Sequence, residues 1–171
     1  TSPTCARVFI VLDHKNIDHD VVSVDITQAE RPAEFNRLSP LGQVPVWQDD
    51  HGVVCQSSVI NEYLEEVYSE PAMLPRDPAR RAYARQWIKY ADSQLLDRNA
   101  QFVHVLRDIK AKQNMCRELF SMVPMLEREM AARSSVWFVD DELSLVDAAL
   151  APLIRALPMW AKILDDPIWG N

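Results

Sequence analysis

Ser2-Pro3-Thr4-Cys5 is the stretch of this 171-residue chain with the clearest chemical content. Its spacing is that of a thiol redox pair, C-P-x-C, with serine where the first cysteine would stand. Pro3 suits the first turn of a helix, because its φ is fixed and it has no N–H to leave unsatisfied. At a helix N-terminus the dipole favours an anion, which in a redox pair lowers the first cysteine's pKa. Serine cannot exchange disulfides. It can donate a hydrogen bond to another molecule's thiolate and so lower that thiol's pKa. Ser2 is therefore the candidate catalytic residue, and the pattern points to use of an external thiol. The same serine would also serve as an N-cap. Cys5, one turn into the helix, sits where burial is more expected than reaction.

Four further positions could hold the molecule that carries the thiol. Leu41-Gly42-Gln43-Val44-Pro45-Val46 is a bend leading into a β-branched stretch. Val44-Pro45 is a candidate cis peptide, leaving the N–H and C=O of Val44 as a short edge with which an extended peptide can pair. Ser57, at the start of a helix, offers its hydroxyl and backbone N–H to a carboxylate, with Gln56 beside it for an ammonium or amide. Arg31, before Pro32, can pair with a second carboxylate. A ligand with a thiol, a peptide-like middle and two carboxylates engages all of these, and glutathione is such a ligand.

The elements that must position these residues follow from periodicity. A helix is predicted over about 3–15, from Val8, Ile10, Val11 and Leu12, stopping at Asn16. Asp20–Ile26 has β-branched residues in partial alternation and reads as a strand. Ala33–Arg37 is short and helical or irregular. Val44–Trp47 and Val53–Cys55 form two strands joined by Asp49-Asp50-His51-Gly52. Ser57–Val67 is an amphipathic helix, with Val59, Ile60, Tyr63, Leu64 and Val67 at 3–4 spacing. Pro71, Pro75 and Pro78 mark a semi-rigid linker. Beyond it, helices are predicted over Arg80 to about Arg107, Lys110 to Ala132, and Leu145–Leu157. Val136–Val139 is the one stretch there with strand character. Ser144 and Asp147 have capping-box spacing, which gives Asp147 a structural role. The architecture expected is α/β plus all-α, with domains at 1–70 and 80–171 joined by 71–79. A β-α-β unit needs a strand before its first helix, so residues preceding Thr1 are expected.

Composition narrows the function classes. Net charge is −7, and hydrophobic content, at 48%, is sufficient for packed cores. The charge is uneven: residues 1–75 carry four basic against twelve acidic side chains, and residues 76–171 carry fourteen against thirteen. That balance speaks against nucleic-acid binding, which needs a basic footprint. No apolar run approaches the roughly 18 residues of a membrane span, so no membrane partner is expected. Cys5, Cys55 and Cys116 are odd in number and far apart, which fits a reducing cytoplasm rather than a disulfide framework. His14, His19, His51 and His104 show no metal-ligand spacing, so no metal or cofactor is expected. With three glycines, neither a dinucleotide fingerprint nor a P-loop exists.

Five motifs in order then carry a resemblance over nearly the whole chain: S-P-x-C-x-R-V from Ser2, S-P-x-G-x-V-P ending at Pro45, Q-S-x-x-I-x-x-Y-L at Gln56–Leu64, L-P-x-D-P-x-x-R-A at Leu74–Ala82, and S-x-x-D-A-x-L-A-P at Ser144–Pro152. Each is weak alone and strong in sequence with the others. The chain resembles the cytosolic glutathione transferases of serine or cysteine type, omega-like or another bacterial class. The resemblance implies a thioredoxin-like first domain, a helical-bundle second domain, a homodimer, and glutathione as co-substrate with a small electrophile. It puts Ser2 at the thiol-activating position, Val44 and Pro45 at the backbone pair, and Gln56 and Ser57 at the γ-glutamyl group. Arg31 is a looser match to a basic residue of omega-like members. The electrophile would meet helical-domain side chains such as Tyr83, Trp87 or Tyr90. The segment at Ser144–Leu153 also resembles stringent starvation proteins, non-catalytic relatives that bind RNA polymerase. Ser-Pro at the start favours the enzyme over that alternative. Thiol transfer through Cys5, at the second position of its motif, is the weakest reading.

Overall fold

The computed structural model describes residues 2–96 and 108–164. The chain divides into two compact units, Thr1–Met73 and Leu74–Asn171.

The first unit begins with α1 (Pro3–His14), Pro3 opening its first turn. Val8, Val11 and Leu12 recur at helical spacing and are buried together. Asn16 adopts the left-handed conformation, φ 51°, that ends a helix without a glycine. After α2 (Ala33–Leu38) the chain bends at Ser39: its hydroxyl donates to the Gln43 carbonyl at 2.8 Å and accepts from the Gln43 N–H at 3.0 Å. Gly42 closes the bend at φ +63°, with the Arg31 guanidinium packed on the side where a Cβ would stand. An L side chain would be strained at this φ.

β1 (Val46–Asp49) and β2 (Gly52–Cys55) are antiparallel, with Val46 opposite Cys55 and Asp49 opposite Gly52. Asp49 Oδ1 accepts the N–H groups of His51 and Gly52 at 2.9 and 3.2 Å, which shapes the turn. The other carboxylate oxygen accepts from Trp47 Nε1 at 3.0 Å and from the Tyr63 hydroxyl at 2.7 Å. That ties the hairpin to α3 (Ser57–Val67). Ile60, Asn61 and Leu64 of α3 are buried, and this helix packs on α1.

The strand predicted over 20–26 is not formed. The segment has no regular secondary structure, and Val21 and Val22 are 60% and 86% exposed. β-branched residues favour a strand only where a neighbour completes the ladder, and among the described residues nothing pairs with this segment.

The second unit opens with α4 (Pro78–Tyr90), capped by Asp77, whose carboxylate accepts from the Arg80 N–H. It starts inside the segment read as a linker, where Met73, Leu74 and Pro75 are buried. A π-helical turn continues it over Ala91–Leu96; the rest of the long helix expected to Arg107, and the terminal segment after Leu164, lie outside the described residues. The single helix predicted over 110–132 is two, α5 (Ile109–Phe120) and α6 (Val123–Ala131). Pro124 explains the break, since it lacks the N–H that would reach the Phe120 carbonyl and its ring would collide with it. Val136–Val139 is a run of bends, not a strand.

α7 runs over Leu145–Leu164, through Pro152 and Pro158 and past the predicted end at Leu157. Trp160 and Ala161, both wholly buried, hold the extra turns. Its start is the reciprocal cap expected: Asp147 Oδ2 accepts from the Ser144 N–H at 2.9 Å and hydroxyl at 2.6 Å, while Ser144 Oγ accepts from Val146 N at 3.2 Å. Asp147 Oδ1 also accepts the Phe138 N–H at 2.9 Å, fixing the bends to the helix. α7 packs against α4 and α5. None of the described helices is long and apolar enough to cross a membrane.

Candidate functional site

Ser2 stands at the N-cap position of α1, but its hydroxyl makes no capping bond. It lies 2.7 Å from the Thr4 hydroxyl, and Thr4 in turn donates to the Val44 carbonyl at 2.9 Å. The first turn of α1 is thereby joined to the bend before β1, a link of forty residues in sequence. Val44–Pro45 is a cis peptide bond, and no hydrogen bond is made to the Val44 N–H among the described residues. Cys5 is half-buried. Burial pushes its thiol pKa up, against the smaller opposing effect of the neighbouring Ser2 and Thr4 hydroxyls. A thiol held neutral is a poor nucleophile, so this turn is better suited to steadying another molecule's thiolate than to supplying one.

Gln56 and Ser57 stand where β2 gives way to α3. Gln56 has φ 74°, rare for a residue other than glycine and concentrated at ligand clamps. Its Nε2 donates to Gln43 Oε1 at 2.8 Å. Ser57 follows as the first residue of α3, 6% exposed. A groove of about 400 Å³ is lined by Ser39, Leu41, Gln43, Val53, Cys55 and Gln56 among others. Ser2, Val44 and Ser57 are not among its walls.

Arg31 is partly committed elsewhere. Its two terminal nitrogens donate to the carbonyls of Gly42 at 3.0 Å and Ile26 at 2.9 Å. That fixes the bend at Gly42 as much as it offers charge to a ligand. The structure thus joins Ser2 to Val44 through Thr4, Gln56 to Gln43, and Arg31 to Gly42. Thr4 and Gln43 were not singled out by the sequence pattern; each is a polar residue one step inside a motif, at a position read there as variable.

In the helical unit Trp87 is 7% exposed and meets Tyr83, Tyr90 and Phe138 edge-on, with centroids 6.3, 5.5 and 4.9 Å away. Arg133 stacks over Tyr83 and Phe138, and its guanidinium donates to the Tyr83 hydroxyl. Tyr83 donates to Glu129 at 2.5 Å. Trp87 is thus part of the core of that unit.

A hydroxyl at a helix N-terminus beside a cis-proline edge, followed by a helical domain, is the arrangement of one class of thiol-using protein. Residues 1–67 match the family model of the glutathione S-transferase N-terminal domain and residues 99–166 that of its C-terminal domain. The chain belongs to the glutathione S-transferase family. Its first unit is the thioredoxin-like domain and its second the all-helical one. It is 31% identical over 154 residues to maleylacetoacetate isomerase of Rattus norvegicus, covering 86% of this chain and 70% of that one. It is 31% identical over 156 residues to a stringent starvation protein A homolog of Coxiella burnetii, covering 89% and 70%. The solved omega 3C glutathione transferase of Trametes versicolor superposes with a TM-score of 0.75 at 25% identity, covering 90% of this chain and 64% of that one.

Proposed function

We propose that this protein is a glutathione transferase, in which Ser2 stabilises the thiolate of bound glutathione for attack on a small electrophile. The observation that carries the reading is the Ser2 hydroxyl, which is not used as a cap and is joined through Thr4 to the edge at Val44. Thiol pKa need fall by only about one to two units, or roughly 1.4–2.8 kcal/mol. A hydroxyl donor and a helix N-terminus are able to supply that. Val44 would pair with the ligand's backbone, Gln56 and Ser57 would hold the γ-glutamyl group, and the Arg31 donors left after Gly42 and Ile26 would face the second carboxylate. The names of the isomerase relatives direct attention to one electrophile class. A maleyl group is an alkene between carbonyls, to which a thiolate adds at carbon; proton return then completes conjugation, and expulsion of the thiolate after rotation completes isomerisation. Homodimerisation belongs to the same reading.

The alternative is a non-catalytic regulator that binds RNA polymerase, favoured by the similarity to the Coxiella burnetii protein. Titration calorimetry with glutathione separates the two. Micromolar to low-millimolar binding supports the transferase; no heat of binding, together with capture of purified RNA polymerase, supports the regulator.

A further inference from the structure

Thr4 Oγ1 lies between two oxygens, 2.7 Å from Ser2 Oγ and 2.9 Å from the Val44 carbonyl. A carbonyl only accepts, so the second contact uses the single proton of Thr4. The first contact must then be Ser2 donating to Thr4. In this polarity the one proton of Ser2 points at Thr4 and is not available to a sulfur. The chain Ser2 → Thr4 → Val44 can reverse without moving a heavy atom, because a hydroxyl hydrogen turns about its own C–O bond. In the reversed polarity Thr4 donates to Ser2, and Ser2 donates outward.

We propose that Thr4 is a positioning residue that couples docking of the ligand's backbone at Val44 to activation of its thiol by Ser2. This rests on the transferase reading above. When an amide N–H of glutathione reaches the Val44 carbonyl, that carbonyl gains a new donor and the Thr4 proton is free to turn to Ser2 Oγ. The Ser2 proton then turns to sulfur. The thiol proton leaves to solvent, and the thiolate is held by a donor which is itself accepting a hydrogen bond. Such chains polarise, each bond strengthening the next by roughly 10–30%. Thr4 touches neither sulfur nor electrophile; its effect on the thiol passes through Ser2. The Cys5 thiol also lies beside the Ser2 and Thr4 hydroxyls, but burial, the larger effect on it, keeps it neutral.

The test is the pKa of bound glutathione, read from the ultraviolet absorbance of the thiolate as pH is raised, in the full chain and four variants. Ser2→Ala raises that pKa by about one to two units. Thr4→Val, similar in shape but with no proton to give, raises it by about half a unit. Thr4→Ser, which keeps the hydroxyl, restores the parent value. The double variant Ser2→Ala/Thr4→Val matches Ser2→Ala alone, because Thr4 has no route to the thiol except through Ser2. A purely structural role for Thr4 would not give that non-additivity. A Thr4→Val pKa equal to or below the parent's, an additive double variant, or loss of glutathione binding in Thr4→Val each overturns the coupling while leaving the role of Ser2 standing. An unshifted pKa in Ser2→Ala overturns both. If Thr4→Val does not fold, Thr4→Ala takes its place under the same criteria.

Discussion

The Lys15 ammonium lies 2.7 Å from the Glu65 carboxylate, with its own side chain fully enclosed. It also donates to the carbonyls of Tyr68 at 2.6 Å and Pro71 at 2.8 Å. Glu65 in turn accepts the Met73 N–H with both oxygens, at 3.0 and 3.1 Å. One residue just past α1 thus satisfies carbonyls at the end of α3 and in the segment after it. Removing one partner of a buried pair strands the other charge, at about 3–5 kcal/mol. Lys15→Met should therefore lower unfolding free energy in urea by about 3 kcal/mol. A loss below about 1 kcal/mol would mean that the pair contributes no more than an exposed one.

The Asp49–Tyr63 bond makes a pH prediction. The Tyr63 hydroxyl, followed by the Trp47 indole N–H, holds Asp49 down to about 2. The bond to Asp49 pushes Tyr63 up to about 12. A depressed carboxylate pKa stabilises the fold at pH values above the unfolded-state pKa, about 3.9, and that stability is lost as pH falls through about 2. The raised phenol acts in the opposite sense: its contribution is full below about 10 and lost as pH rises through about 12. Tyr63→Phe should be less stable than the parent by a constant amount between about pH 5 and 8, the gap narrowing as pH drops from about 4 toward 2. A gap that does not change over that acid range would contradict the assignment.

Asp147 makes a stability prediction for the helical unit. It accepts from Ser144 and from the Phe138 N–H. Asp147→Ala should cost about 2–4 kcal/mol, since it removes a cap and leaves a buried N–H unpaired. Far-ultraviolet circular dichroism followed through thermal unfolding checks this, and a midpoint within a degree of the parent's would rule it out.

Ser57→Ala removes one hydroxyl from the start of α3 while leaving the backbone N–H in place. Glutathione affinity should fall about tenfold by calorimetry, the loss of one hydrogen bond to a charged group. An unchanged dissociation constant would remove the side chain of Ser57 from the proposed site.

The legible parts of the fold are those in which the side-chain pattern and the backbone need agree locally. The 49–52 turn joins two β-branched runs, and its Asp and Gly supply the hydrogen bonds and the φ that a tight turn requires. α3 declared itself through Ile60 and Leu64, which are buried, although Val59 and Val67, counted with them, are 52% and 44% exposed. Residues 20–26 misled because a strand is a relationship between two segments, and a period of two says nothing about whether the second is present. Pro124 was readable as a helix break, but the apolar spacing across it hid the break.

At the candidate site, Ser2, Val44, Gln56 and Ser57 stood out because their residue types sit at positions where backbone geometry matters. Thr4 did not, because its role depends on which way a hydroxyl points, and that is set by a carbonyl forty residues away. The commitment of Arg31 to the Gly42 and Ile26 carbonyls was hidden for the same reason: sequence shows a charge but not the backbone groups around it.

The central claim is that the Ser2 hydroxyl stabilises the glutathione thiolate. Its most direct test is the kcat/KM for addition of glutathione to an α,β-unsaturated carbonyl electrophile, compared between the parent and Ser2→Ala, with the glutathione dissociation constant measured alongside. The account predicts a fall of about tenfold to a hundredfold in kcat/KM, matching one to two units of thiol pKa, with glutathione affinity changed by less than about threefold. Equal kcat/KM in the two proteins would contradict it.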